Sequence, residues 1–367
     1  MRCPYKPGMS LQEAERELGV SRVIRLASNE NPLGPSPRAR ALLRDGALTT
    51  QLSAYPDTNA QRLRGTLADH LGHDEREVIV GSGSAEIARL LSECFLSAGD
   101  EVLLPDPTFG FYELVARIAG ATPVLVPTLP DLRVDLEALR ARVSACTKLI
   151  FLANPNNPTG IALPTDEVER FAAALPSHVL LVVDAAYSHY VATDDYAAGL
   201  ARLRRLERVV VLETFSKAHG LAGLRCGYGV ARPPVIAGLS KLRTPFSVNT
   251  IAQAAALEAL LDHDHLAATV AHNRTEIRYL EESFAAMGLS TVPSEANFLL
   301  VRLPVRDGLS IAAQVATRLG RKGILVRHFP HPAIDDMLRI STGLHEHNVA
   351  CVEALADLLR LPPPGAI

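Results

Sequence analysis

The sequence predicts an α/β protein, with a large domain on a mostly parallel seven-stranded sheet followed by a smaller α+β domain. Three observations carry this. Seven short, β-rich apolar runs, "EVIVG", "EVLLP", "TPVLVP", "KLIFLAN", "HVLLVVD", "RVVVLE" and "GYGVA", follow one another from about residue 75 to 230, most of them alternating with helical spacing, as parallel sheets require. The runs show no polar alternation, so their strands are buried on both faces. Beyond Pro245 the pattern turns mainly helical and then gives two further strand runs, "NFLLVRL" and "MLRIST".

In chain order, Ser10 and Glu13 read as a capping box, and Leu11, Ala14 and Leu18 keep helical spacing until Gly19 stops the helix. "IRLASNENPLGPSP" passes from a strand-like start into a Pro-, Gly- and Asn-rich connector. Helices are expected over 85–96, 135–143 and 166–174 between the strands, and over 252–261 and 273–287 beyond them. The domain limits that follow are 1–40 for an N-terminal segment packing with the small domain, 41–245 for the large domain and 246–367 for the small one.

A chain of 367 residues has enough core to fold without disulfide staples. Its 48% hydrophobic and 21% charged content and net charge of -3 leave no basic excess for nucleic acid or an anionic membrane, which points to a small-molecule partner. Five scattered cysteines without a C-x-x-C pair fit a reducing cytoplasm better than a disulfide set or a zinc site. The N-terminus lacks the apolar region of a signal peptide, and no apolar run approaches the roughly 18 residues of a membrane span.

In open parallel sheets ligands bind outside the carboxyl ends of the strands. "GSGS" at 81–84 links a strand to a helix and aims backbone N–H groups and a helix dipole at one point, which suits a phosphate but also fits an ordinary turn. "NPNNPTG" fixes Asn154, Asn156 and Asn157 between prolines. Asp184 ends a buried run, where a carboxylate needs a cation or strong donor unless it merely caps a helix. Thr214, Ser216 and Lys217 end another, with Arg225 eight residues after the lysine. An amine for a Schiff base, a carboxylate for a pyridinium nitrogen and a phosphate cradle together describe a pyridoxal phosphate site.

In order along nearly the whole chain, "LASNENPLGPSP", "YPD", "GSGSAEIARLL", "DPTFGFY", "NPNNPTG", "VVDAAY", "TFSKAHGLAGLRCGYGVA", "SEANF" and "LRISTG" resemble the motifs of the fold-type I pyridoxal-phosphate aminotransferases, and most closely those of the histidinol-phosphate aminotransferases. The resemblance implies that Lys217 is the Schiff-base lysine and then the proton carrier, and that Asp184 pairs with the pyridine nitrogen. It implies that Asn157 and Tyr187 hydrogen-bond the cofactor's phenolic oxygen, that Phe109 stacks on the ring, and that Ser84, Ala85, Thr214, Ser216 and Arg225 hold the phosphate. Arg339 would bind the substrate carboxylate and Arg327 a substrate phosphate, with Asn29 and Tyr5 closing over the substrate. Tyr55 would reach a partner's cofactor across a homodimer interface, or else serve as a local turn residue.

Two departures from the family pattern stand out. Ala185 replaces the usual acidic residue of the "DEAY" motif, and "HFPHPAIDDML" puts His328 and His331 near the expected phosphate pocket. No partner at ligand spacing completes a metal site around these histidines. An aromatic amino acid aminotransferase, a phosphothreonine-type decarboxylase and a ligand sensor on the same fold are the rival readings; a sensor would usually carry an attached DNA-binding domain.

Overall fold

The structure is a computed structural model that describes residues 11–19, 23–44, 46, 52–306 and 308–360. Ser10, Tyr5 and Cys3 lie outside the described residues. The chain enters through helix α1 (Leu11–Leu18), strand β1 (Ile24–Arg25), α2 (Pro37–Arg44) and α3 (Gln61–Leu71).

All seven apolar runs form strands of one sheet. They are β2 (Val78–Gly81), β3 (Glu101–Asp106), β4 (Thr122–Pro127), β5 (Thr147–Ala153), β6 (Leu180–Asp184), β7 (Val209–Thr214) and β8 (Gly227–Val230). Their order is β2-β8-β7-β6-β5-β3-β4. The pairs among β3 to β7 are parallel, and β8 runs antiparallel between β7 and β2.

Alternation along each strand feeds two apolar layers. Leu149 and Phe151 of β5 join the layer under α4 (Ser84–Phe95), α5 (Phe111–Ile118) and α9 (Pro233–Leu242). Ile150 and Leu152 join the opposite layer under α6 (Leu136–Ala141), α7 (Thr165–Ala174) and α8 (Asp194–Leu203). With helices on both faces, the open positions lie beyond the strand ends, where a ligand can reach backbone and side chains together.

The alanine-rich α10 (Thr250–Leu260) packs against α2 and α3 and shares a core cluster with Val78, Val80 and Val230 of the large sheet. Small side chains permit that close approach, so the layer around the large sheet extends past residue 245.

α11 covers His263–Ala286, starting ten residues before the expected helix because Asp262 caps it by accepting the His265 N–H at 3.1 Å. The second sheet has the order β14 (Arg327–His328), β15 (Met337–Ser341), β10 (Phe298–Arg302) and β9 (Thr291–Val292), all antiparallel. A small hairpin, β11 (Val305–Arg306) and β12 (Leu309–Ser310), follows β10. The helices α12 (Ala312–Arg321) and α13 (His345–Leu359) join α11 over the core of Leu280, Phe284, Leu299, Leu338 and Leu355. β1 pairs in parallel with β13 (Ile324–Leu325), which ties the N-terminal segment to this unit. Among the described residues no helix is long and apolar enough to cross a membrane, and Cys94, Cys146, Cys226 and Cys351 are free thiols.

Candidate active site

Strand register brings the chemistry-bearing residues together. Ala153 of β5 lies beside Asp184 of β6, and Asp184 beside Leu212 of β7. Thr214, Gly227 and Gly81 form one row across β7, β8 and β2.

Asp184 is buried, and two donors hold it: the Tyr112 hydroxyl at 2.8 Å to Oδ2 and the Ala186 N–H at 3.1 Å to Oδ1. Burial pushes its carboxyl up to about 6, against those hydrogen bonds and the charge of Lys217, which pull the other way. A cation brought to this carboxylate would relieve that cost.

Lys217 stands after β7 with Nζ donating to the Ser28 carbonyl at 3.1 Å and lying 5.7 Å from the Tyr187 ring centroid. Burial first, then the positive charges of Arg339 and Arg225, brings its amine down to about 8, with Glu30 and Asp184 opposing. A lysine with so low a pKa has more of the neutral, nucleophilic form near pH 7 than a solvated one.

The glycine turn is built for close approach. Gly83, at φ 77, is the N-cap of α4, and a Cβ there would lie 2.6 Å from Arg225 Nη2. A Cβ on Gly227 would lie 2.5 Å from the Ser84 nitrogen. Only glycine at both positions lets the guanidinium and the first N–H groups of α4, from Ser84 and Ala85, converge. Arg225, itself at φ 58, donates to Ser216 Oγ at 3.2 Å, and the Thr214 hydroxyl donates to the same oxygen at 3.0 Å. This concave set of hydroxyls, N–H groups and a cation fits a phosphate group.

A ring of polar side chains closes the other side. Tyr187 OH accepts from Asn29 Nδ2 at 2.9 Å and from Asn157 Nδ2 at 3.5 Å. Arg339 Nη1 donates to Asn157 Oδ1 at 2.5 Å, and Nη2 to the Ala27 carbonyl at 2.6 Å. The Arg339 guanidinium lies 5.1 Å from the Phe298 ring and 5.2 Å from that of Phe329. Arg327 pairs opposite Arg339 across β14 and β15 and lies 5.5 Å from the same Phe329 ring. Two guanidiniums on one patch make neighbouring anion sites.

Phe109 meets Tyr112 edge-on at 5.4 Å just beyond β3. Tyr55 is 83% exposed and stacks on Phe246 at 4.5 Å. His331 Nε2 lies 3.0 Å from Asp106 Oδ1, bridging the loop before β15 to the end of β3, while His328 Nε2 faces the Asp335 carbonyl at 2.9 Å. Each histidine therefore has a polar partner from the protein. Among the described residues, no three His, Cys, Asp or Glu side chains are arranged to hold a metal ion.

Two features around the candidate site leave no local signal in the sequence. Tyr112 sits in the quoted "DPTFGFY" motif, but its apolar spacing signals only a core position, and nothing local shows its hydroxyl aimed at Asp184. Behind the lysine loop, Glu213 forms a buried ion pair with Arg204 and accepts from Ser188 Oγ at 3.0 Å. Burial alone would raise the Glu213 carboxyl, yet Arg204 and His189 hold it below its ordinary value. The pair lines a cavity of about 340 Å³ together with His70, His189, His219 and His263.

Residues 21–355 match the family model of aminotransferase class I and II. A histidinol-phosphate aminotransferase from Moorella thermoacetica is 42% identical over 357 residues, covering 97% of this chain and 90% of the relative. One from Anaeromyxobacter sp. is 43% identical over 356 residues, covering 97% and 96%. The crystal structure of the histidinol-phosphate aminotransferase from Sinorhizobium meliloti, in complex with pyridoxal-5'-phosphate, matches with a TM-score of 0.89 at 30% identity, covering 97% of this chain and 95% of that one.

Proposed function

The chain belongs to the class I and II aminotransferases, and we propose that it uses pyridoxal 5'-phosphate to transfer the amino group of L-glutamate to imidazole acetol phosphate, giving L-histidinol phosphate and 2-oxoglutarate. The observation that carries this reading is the convergence, beyond neighbouring strand ends, of the Lys217 amine, brought down to about 8 by burial and by Arg339 and Arg225, the buried Asp184 carboxylate ending β6 and the glycine-built phosphate cradle at β2 and β8. The cofactor, when bound, supplies an electron sink for the carbanion formed at the substrate Cα.

The protein's own residues have distinct tasks in this scheme. Ser84, Ala85, Thr214, Ser216 and Arg225 hold the cofactor phosphate, and Phe109 covers the ring. Asp184 would keep a proton on the pyridine nitrogen, since burial raises its carboxyl against the Tyr112 and Ala186 donors and leaves its charge in need of a cation. Tyr187 and Asn157 stabilise negative charge at the phenolic oxygen. Lys217 would hold the cofactor covalently through its amine, and that amine, when free, would move the proton at the substrate Cα. Arg339 holds the glutamate α-carboxylate through its planar fork.

The Arg327–Arg339 pairing on one strand ladder supports a second anion site for the substrate phosphate. The exposed Tyr55–Phe246 stack supports a homodimer in which each site borrows Tyr55 from its neighbour. A cytoplasmic location belongs to the same reading.

The test is steady-state turnover with product analysis. Histidinol phosphate with 2-oxoglutarate should give glutamate and no carbon dioxide, and Arg327→Ala should raise KM for histidinol phosphate by roughly tenfold or more while sparing that for glutamate. Release of carbon dioxide would favour a decarboxylase, and preferred use of phenylalanine an aromatic aminotransferase.

A further inference from the structure

Ser341 lies two residues after Arg339 on β15, so the two side chains face the same side of the strand. Its buried hydroxyl donates to Asn29 Oδ1 at 2.8 Å and accepts the Asn29 backbone N–H at 2.9 Å. Asn29 is 2% exposed and sits at φ 55, a left-handed conformation that asparagine tolerates better than most residues.

With Oδ1 engaged by the serine, the Asn29 amide turns its NH2 toward Tyr187 and donates to the phenol oxygen at 2.9 Å. Asn157 Nδ2 approaches the same oxygen at 3.5 Å, its own Oδ1 being held by Arg339. A phenol oxygen has two lone pairs and one proton. Asn29 and Asn157 both present N–H groups to this oxygen, which favours the hydroxyl as the donor toward an acceptor placed beside them.

We infer that Ser341 is a positioning residue that fixes the direction of the Tyr187 hydroxyl through Asn29, so that this phenol donates to the phenolic oxygen of the bound cofactor. The inference rests on the proposed cofactor site and deepens it. Asn29 acts on Tyr187, and the order of donors runs from Ser341 through Asn29 and Tyr187 outward. Hydrogen bonds aligned in this way polarise one another.

The experiment is a pH titration of the visible absorption of the holoenzyme, in the wild type, Ser341→Ala, Ser341→Thr, Tyr187→Phe and the Ser341→Ala/Tyr187→Phe double variant. Weakened donation to the phenolic oxygen raises the midpoint. Ser341→Ala should move it up by about half a pH unit, Ser341→Thr should restore it, and Tyr187→Phe should move it further. In the double variant the serine change should add nothing, because its effect passes through the phenol. Should Ser341→Ala fail to fold, Ser341→Cys, with its weak S–H donor, should shift the midpoint in the same direction. A wild-type midpoint in Ser341→Ala or Ser341→Cys, while Tyr187→Phe is shifted, would overturn the inference and leave the cofactor reading intact. An equal shift with and without the phenol would also overturn it. A wild-type protein with no titrating band would defeat the cofactor reading and the inference with it.

Discussion

The Tyr112 hydroxyl donates to Oδ2 of Asp184 at 2.8 Å, from a ring stacked on Phe151 at 4.8 Å. Helix α5 on one face of the large sheet thus fixes a carboxylate at the end of the central strand β6. Removing the hydroxyl in Tyr112→Phe leaves the carboxylate with the Ala186 N–H alone among the two donors and a freer rotamer. We expect kcat to fall about tenfold, with stability lowered by about 1–2 kcal/mol. Stopped-flow turnover and thermal melts check both numbers.

Asp184 should cost the cofactor-free protein stability at neutral pH. Its folded pKa is raised to about 6 from 3.8, so the folded state binds the extra proton, stability falls as pH rises between those values, and the full cost is present above the upper one. Asp184→Asn should therefore stabilise the cofactor-free protein at pH 8 by about 1–3 kcal/mol, with the gain vanishing near pH 4. The same substitution should cut turnover on the order of a hundredfold or more. Melting curves at the two pH values decide the matter, and an unchanged pH 8 midpoint would contradict the assignment.

Lys217 should capture cofactor in a pH-dependent way. Its amine, held at about 8 by burial and by Arg339 and Arg225, reacts as the neutral form, so the rate at which the cofactor-free protein takes up pyridoxal phosphate should rise through pH 8 rather than through the ordinary lysine range. Lys217→Ala should show no covalent capture and no turnover. Borohydride reduction followed by mass measurement reads the covalent link directly.

Glu213 and Arg204 form an ion pair under β7, both side chains being less than a tenth exposed. Glu213→Gln leaves a buried guanidinium without its countercharge and should destabilise the protein by about 3–5 kcal/mol. Because the folded Glu213 pKa lies below its ordinary value, the stabilisation it gives is present above that ordinary value and is lost as pH falls through the folded one. Chemical denaturation at pH 7 and under acid conditions measures both effects.

Much of this architecture is legible in the sequence, for identifiable reasons. Six of the large-sheet strands announce themselves because burial on both faces forces continuous apolar runs, whereas β4, at the sheet edge with Leu125 exposed, carries an apolar run without that burial; the polar residues after the runs, Asn157, Asp184 and Lys217, mark the strand ends where ligands bind. Features that depend on register or long-range packing leave no such signal. Tyr112 is spaced like any core aromatic, and its hydroxyl meets Asp184 only through the β3–β5–β6 order. Ser341 and Asn29 are 312 positions apart, so no local pattern links them. α11 begins in a polar stretch whose cap, Asp262, precedes the apolar periodicity.

The most direct measurement of the central claim is the visible spectrum of the purified holoenzyme during addition of histidinol phosphate, with phenylalanine and glutamate added to separate samples. The proposed function predicts that histidinol phosphate abolishes the cofactor's resting absorption band at far lower concentration than phenylalanine, that glutamate also does so, and that Arg327→Ala weakens the response to histidinol phosphate alone. A band that phenylalanine removes and histidinol phosphate leaves untouched would contradict the account.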